Sequence, residues 1–140
     1  MFIKVRIPVR PRIVKITHGF VEILDDAGYW HSVLRVNALV GQVAEVTSLL
    51  FGVDDQYLKK PAEPIACARG FPEDASDEAT EAHEKDKQWA HFESWIRPDE
   101  IARVFEVKQL KKGWPTVFAF MGVLSELYGD SSVRLIVWFT

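Results

Sequence analysis

Two histidines are the first candidates for chemistry in this chain of 140 residues. Imidazole moves protons near neutral pH and is the commonest metal ligand. His18 stands beside Gly19, where backbone can approach a ligand closely. His91 lies two residues before Glu93 and four before Trp95. Together with Glu22 or Glu93 the pair could flank a substrate as acid and base, or hold a zinc ion. No cofactor is predicted from any motif, although a divalent metal on His18, His91 and Glu93 fits the residue types. The two histidines are 73 positions apart with no local metal spacing. Two unrelated histidines, each hydrogen-bonded or exposed, are the plainer account.

A second candidate is the run Arg69-Gly70-Phe71-Pro72 with Asp74 and Ser76. A guanidinium forks onto phosphate or carboxylate, and Gly70 permits close approach. Arg69 could equally pin the loop to the core through a carboxylate. Asp74 and Ser76 also suit a local turn or a helix cap. Trp89, Phe92 and Trp95 could form a stacking platform for a ligand, but core packing explains them as well. His31 and His83 read as ordinary surface residues. Cys67 follows the apolar pair Ile65-Ala66 and reads as buried and inert. No phosphate-binding glycine loop, nucleophile elbow or zinc helix motif is present.

These residues need elements to position them. Residues 2–9 alternate apolar and basic side chains, as a half-buried strand does, and Pro8 and Pro11 end it. Residues 13–24 read as a second strand, with a bulge at His18-Gly19 and a turn at 25–28. Tyr29 and Trp30 begin a short returning strand. Residues 32–51 carry apolar side chains at helical spacing, weakened by Gly41 and stopped by Gly52. Residues 53–71 read as a loop, and 72–84 as a flexible loop or a short surface helix. Residues 94–96 are extended. Pro98 opens a short helix to Phe105, with Asp99 and Glu100 at its positive end. A helix from Pro115 is apolar nearly all round, which predicts a central position. Residues 133–139 are apolar on both faces apart from Arg134, as in a central strand. The sum is one α+β domain over residues 1–140: an antiparallel-rich sheet of about three to five strands with two or three helices on it.

Composition bounds the rest. One cysteine, Cys67, excludes an intrachain disulfide and a cysteine zinc cluster, and it fits a reducing, cytoplasmic setting. No apolar run is long enough for a membrane span, and the opening residues lack a signal peptide's apolar core. The net charge of −3 argues against general nucleic-acid binding. Charge is uneven, however. Lys4, Arg6, Arg10, Arg12 and Lys15 precede the first acid, Glu22, while residues 73–88 hold seven acids against two lysines. Two such poles read as solvated surface, the two regions facing each other, or as a surface for a charged partner.

Several motifs occur in the order of a family of uncharacterised bacteriophage and prophage proteins, which the chain resembles over roughly residues 16–140. They are His18-Gly19-Phe20-Val21-Glu22 with Trp30, then Leu49-Leu50-Phe51-Gly52-Val53, then Arg69-Gly70-Phe71-Pro72-Glu73-Asp74-Ala75-Ser76. His91-Phe92-Glu93-Ser94-Trp95-Ile96, Tyr128-Gly129-Asp130 and residues 133–139 follow. Members open with Met-Gly-Cys-Asp-Ile-His; here Lys15, Ile16 and Thr17 replace the residues before the histidine. The resemblance implies a phage context and no mechanism. The preferred expectation is an accessory protein that binds a host protein or a small anionic ligand through Arg69, Gly70, Asp74, Ser76 and Trp95. An inhibitor of host defence fits that description. The alternative is a small hydrolase or phosphodiesterase built on His18 and His91.

Overall fold

The computed structural model describes residues 14–53, 63–102 and 113–140. The strand expected at 2–9, with Lys4, Arg6, Arg10 and Arg12, lies outside these residues, as does the end of the helix expected to reach Phe105. The described chain forms one antiparallel sheet with helices on both faces. Strand β1 is Thr17–Leu24, β2 Trp30–Arg35, β3 His91–Ile96 and β4 Val133–Phe139. The strand order is β2-β1-β4-β3. The α+β expectation holds, and so does the central place of residues 133–139.

β4 explains its own position. All seven of its residues are buried, so it needs cover on two faces and a neighbour on each side. On one face Val21, Val133, Leu135, Val137 and Phe139 join the main core. Helices α1 (Asn37–Val40), α2 (Glu45–Phe51) and the long helix later in the chain (Trp114–Tyr128) pack there through Val40, Leu50, Phe51, Trp114, Phe118 and Met121. On the other face Phe20, Ile136 and Trp138 form a smaller core against Ala79. Ala79 belongs to α3, Asp77–Asp86. Each large apolar side chain fully buried this way contributes about 1.5–3 kcal/mol.

Helix α3 settles the loop-or-helix alternative for 72–84. The Ser76 hydroxyl accepts the Ala79 N–H at 3.2 Å, and Asp77 and Glu78 occupy the positive first turn. The short helix α4 (Pro98–Ile101) opens on Pro98, as expected.

Three expectations need correction. Residues 32–51 are not one helix. Residues up to Arg35 continue β2 against β1, and Gly41 at φ 57° separates α1 from α2. The apolar spacing was real, since Val36, Val40, Val43, Val46 and Leu50 are all core, but three elements share it. The bulge is not at His18-Gly19. The register shifts between Val21 and Glu22, and Val33 is the extra residue on β2. Gly19 has another cause: a Cβ there would lie 2.4 Å from the Ile136 carbonyl oxygen. Finally, helix α5 (Trp114–Tyr128) caps one face rather than running through the centre. Trp114, Val117, Phe118, Met121 and Leu124 face inward, while Val123, Leu127 and Tyr128 are exposed. A stripe about 100° wide is enough to cover a sheet.

Candidate functional site

The chemistry-bearing residues gather on the sheet face beneath α3. Strand pairing sets Glu22 opposite Arg134, each flanked by apolar residues in its strand. Glu22 is fully buried and Arg134 nearly so. Arg134 Nε donates to Glu22 Oε1 at 2.9 Å, and Nη1 donates to Asp74 Oδ1 at 3.0 Å. The Ser76 N–H donates to Glu22 Oε2 at 2.8 Å, while the Trp30 indole N–H donates to Asp74 Oδ2 at 3.2 Å. Arg134 Cζ stands 3.8 Å from the centroid of the Trp30 ring. One buried ion pair thus ties three strands to the start of α3. Asp74 and Ser76, two of the ligand candidates, are employed in that tie.

Arg69 is employed as well. Its guanidinium forks onto Glu100 at 2.7 and 2.5 Å and also donates to the Ile65 and Trp95 carbonyls, each at 3.1 Å. It lies 4.7 Å from the Trp95 ring centroid. The Arg69 hydrogen bonds hold the Glu100 carboxyl below its usual range, and Glu100 raises Arg69 in return. Of the two readings of Arg69, the structure supports the pin: both terminal nitrogens are engaged by Glu100 and the two carbonyls. Gly70, at φ 90°, passes its N–H to the Glu93 carbonyl at 2.9 Å.

His18 and His91 are not brought together. Register sets His18 opposite Trp138 and His91 opposite Phe139. β4 lies between their two strands, and among the described residues no hydrogen bond, ion pair or ring contact joins the two imidazoles. Glu93 instead lies near His83, Oε2 to Nε2 at 3.6 Å. Among the described residues no three His, Cys, Asp or Glu side chains form a group able to hold a metal. The acid–base pair and the metal set of His18, His91 and Glu93 are therefore not assembled.

His18 has a different setting, which the sequence did not reveal. Its ring stacks on Trp138 at 5.7 Å, Nε2 meets Thr140 Oγ1 at 2.8 Å, and Nδ1 lies 3.4 Å from Asp86 Oδ2. Hydroxyl, imidazole and carboxylate in that order resemble a nucleophile relay. The protons run the wrong way. Asn37 Oδ1 accepts the Gly19 N–H at 3.0 Å, which turns Asn37 Nδ2 toward His18 Nδ1, also at 3.0 Å. Nδ1 must then be the acceptor, Nε2 carries the hydrogen, and Thr140 receives it. A base for the Thr140 hydroxyl would need a lone pair at Nε2. The arrangement holds Thr140; it does not activate it.

Burial pushes the His18 imidazole below its ordinary 6.5, Asp86 opposes that shift, and Arg35 adds to it. A base with a depressed folded-state pKa binds fewer protons folded than unfolded, so stability rises with pH between the two values. Full stability is present above about 6.5 and is lost as pH falls toward the folded value. Melting temperature is expected to drop on acidification from about pH 7.5 to 5.5, and His18→Gln, which keeps a donor for Thr140, is expected to flatten that drop. Equal slopes in both proteins would exclude His18 as the group responsible.

Other expectations change for plain reasons. Cys67 is exposed, because its segment turns outward after the buried Ala66. His83 is no surface residue: it stacks on Phe71 at 4.0 Å and meets the Trp138 edge at 5.3 Å. Trp89, Phe92 and Trp95 form no shared platform. Trp89 is largely exposed, Phe92 packs against the main core, and Trp95 packs against the smaller core.

Beside the tie lies an open trough between helix α3 and β2, an edge strand among the described residues. One part, about 600 Å³, runs between residues 28–32 and 74–78. The next, about 500 Å³, runs between residues 32–35 and 78–86 with Phe20 as floor. Ser32 and Glu78 line both parts, which adjoin where the Ser32 and Ser76 hydroxyls meet at 2.5 Å between β2 and α3. Asp74, Asp77, Glu78, Glu81 and Asp86 line the α3 side, against Arg35 and Lys85. No family model, curated protein or solved structure matches the chain. No helix of the described residues is long and apolar enough to cross a membrane.

Proposed function

We propose that the chain is a binding protein that captures an extended, basic segment of a partner protein in the trough between β2 and α3. The acidic lining of that trough, beside a strand that is paired on one side only among the described residues, is the observation that carries the reading. Grooves between an edge strand and a helix suit extended peptides, and excess carboxylates along one wall favour Lys and Arg. The bulge at Val33 blunts β2 against indiscriminate edge pairing, which leaves selection to the side chains of the wall. The resemblance to phage proteins supports a host protein as the source of the segment, and an inhibitor of host defence would act in this way. The inverted proton arrangement at His18 gives the hydrolase reading no support.

Fluorescence anisotropy with a labelled ten-residue peptide alternating Lys and Val tests the proposal, with a Glu/Val peptide as control. The basic peptide is expected to bind and the acidic one not. Paired Glu78→Gln and Glu81→Gln exchanges are expected to weaken binding about threefold or more, with only a small fall in melting temperature from the lost first-turn charge of α3 and the lost Glu81–Lys85 pair. Equal affinity for both peptides, or no effect of the exchanges, would overturn the reading.

A further inference from the structure

Trp30 is also a wall of a separate, smaller hollow of about 230 Å³, lined by Trp30, Trp95, Arg97, Ser131, Val133 and Arg134. Two indoles and two guanidiniums are an unusual lining for so small a space. Arg134 forms the floor, with its side chain only 9% exposed. Its Nε and Nη1 are matched by Glu22 and Asp74. Nη2 lies 2.9 Å from Glu22 Oε1 outside hydrogen-bond geometry and has no hydrogen-bond partner. A buried guanidinium with an unmet donor is a feature that needs an explanation. Arg97 is half-exposed, its side chain 45% exposed, with its Nη2 3.3 Å from the equally exposed Asp99 and its Nε 3.8 Å from Glu100. Glu100 is committed to Arg69, and the Asp99 pair is a weak surface one, so Arg97 can exchange the Asp99 carboxylate for another anion at little cost.

We propose that this hollow binds a small planar anion, an aromatic ring bearing a carboxylate or a phosphate. The ring would lie against Trp30 and Trp95, since indole faces and edges favour flat partners. The anionic group would pair with Arg97, because charge-assisted bonds to guanidinium are the strong ones. Arg134 is already matched in charge by two carboxylates, so Arg97 supplies the attraction and Arg134 a polar floor. The volume lies below the usual range for drug-sized ligands, which limits the occupant to about one ring system. Trp95, Arg97 and Ser131 do not line the trough, so the two sites can be tested separately.

Tryptophan fluorescence of the intact protein, titrated with benzoate and with phenyl phosphate, tests the site. Inorganic phosphate and benzyl alcohol, each carrying half of the chemistry, are the controls. Saturable quenching by at least one aromatic anion below about 1 mM is expected, with both controls at least tenfold weaker. Arg97→Ala is expected to weaken binding about tenfold or more without moving the melting temperature. Trp95→Phe, which keeps a ring in the core, is expected to weaken it less. No saturable response to either aromatic anion, equal binding of inorganic phosphate, or indifference to Arg97→Ala would each overturn the proposal.

Discussion

Glu22→Ala is expected to lower stability by about 3–5 kcal/mol, a fall of roughly 10–15 °C in melting temperature for a domain of this size. The substitution leaves Arg134 in the interior with only the more exposed Asp74 to balance it. It also removes the acceptor for the Ser76 N–H, and Ser76 caps α3. Two buried donors would then go without partners, each a cost in its own right. Removing the whole pair is a different experiment. Glu22→Leu with Arg134→Met takes both charges away, and a buried pair replaced by apolar groups of similar size is often neutral or stabilising. The double variant is therefore expected to recover the part of the loss that comes from the stranded Arg134 charge, but not the part from the Ser76 N–H. Thermal unfolding of the three proteins at neutral pH checks this. A loss under about 1 kcal/mol for Glu22→Ala would show that the pair does little to hold the sheet to α3.

Gly19→Ala is expected to cost about 3 kcal/mol or more although it adds a single methyl group. The added Cβ would stand 2.4 Å from the Ile136 carbonyl oxygen, 3.1 Å from Val36 Cγ2 and 3.3 Å from Val137 Cγ1. The first of these is backbone in the central strand and cannot rotate away, so β1 and β4 must part locally. Gly122→Ala is the matched control. Gly122 lies in α5, and nothing stands within 4 Å of a Cβ built there. Alanine is the better helix former, so this change is expected to stabilise by about 0.5–1 kcal/mol. Urea unfolding should move the two midpoints in opposite directions. A neutral Gly19→Ala would mean that the strands can shift where the geometry leaves no room.

Particular residues show why the sheet was legible and the site was not. Residues 133–139 announced a central strand because apolar side chains on both faces have only one place to go. Pro98 and Gly52 marked helix ends through local chemistry that needs no partner elsewhere in the chain, whereas Ser76 read equally as a turn or a cap and left 72–84 open between loop and helix. The span 32–51 misled because β-branched and leucine side chains at helical spacing also serve a strand followed by two short helices. Site residues depend on register, which composition does not encode. Glu22 finds Arg134 112 positions away, and His18 finds Thr140 122 positions away. One signal was present: each of Glu22 and Arg134 is a lone charge inside an apolar strand, and such charges rarely enter a core unpaired.

β4 occupies the middle of the sheet yet follows both of its neighbours in the chain, and this order has a consequence for biosynthesis. Until about residue 139 has left the ribosome, β1 and β2 can close as a hairpin, but β1 and β3 have nothing between them. During translation the apolar side chains of β1 stay wet and open to chaperones, and the folded sheet comes only once the last strand slots in. Such late, long-range closure places the protein among the slow folders of its length.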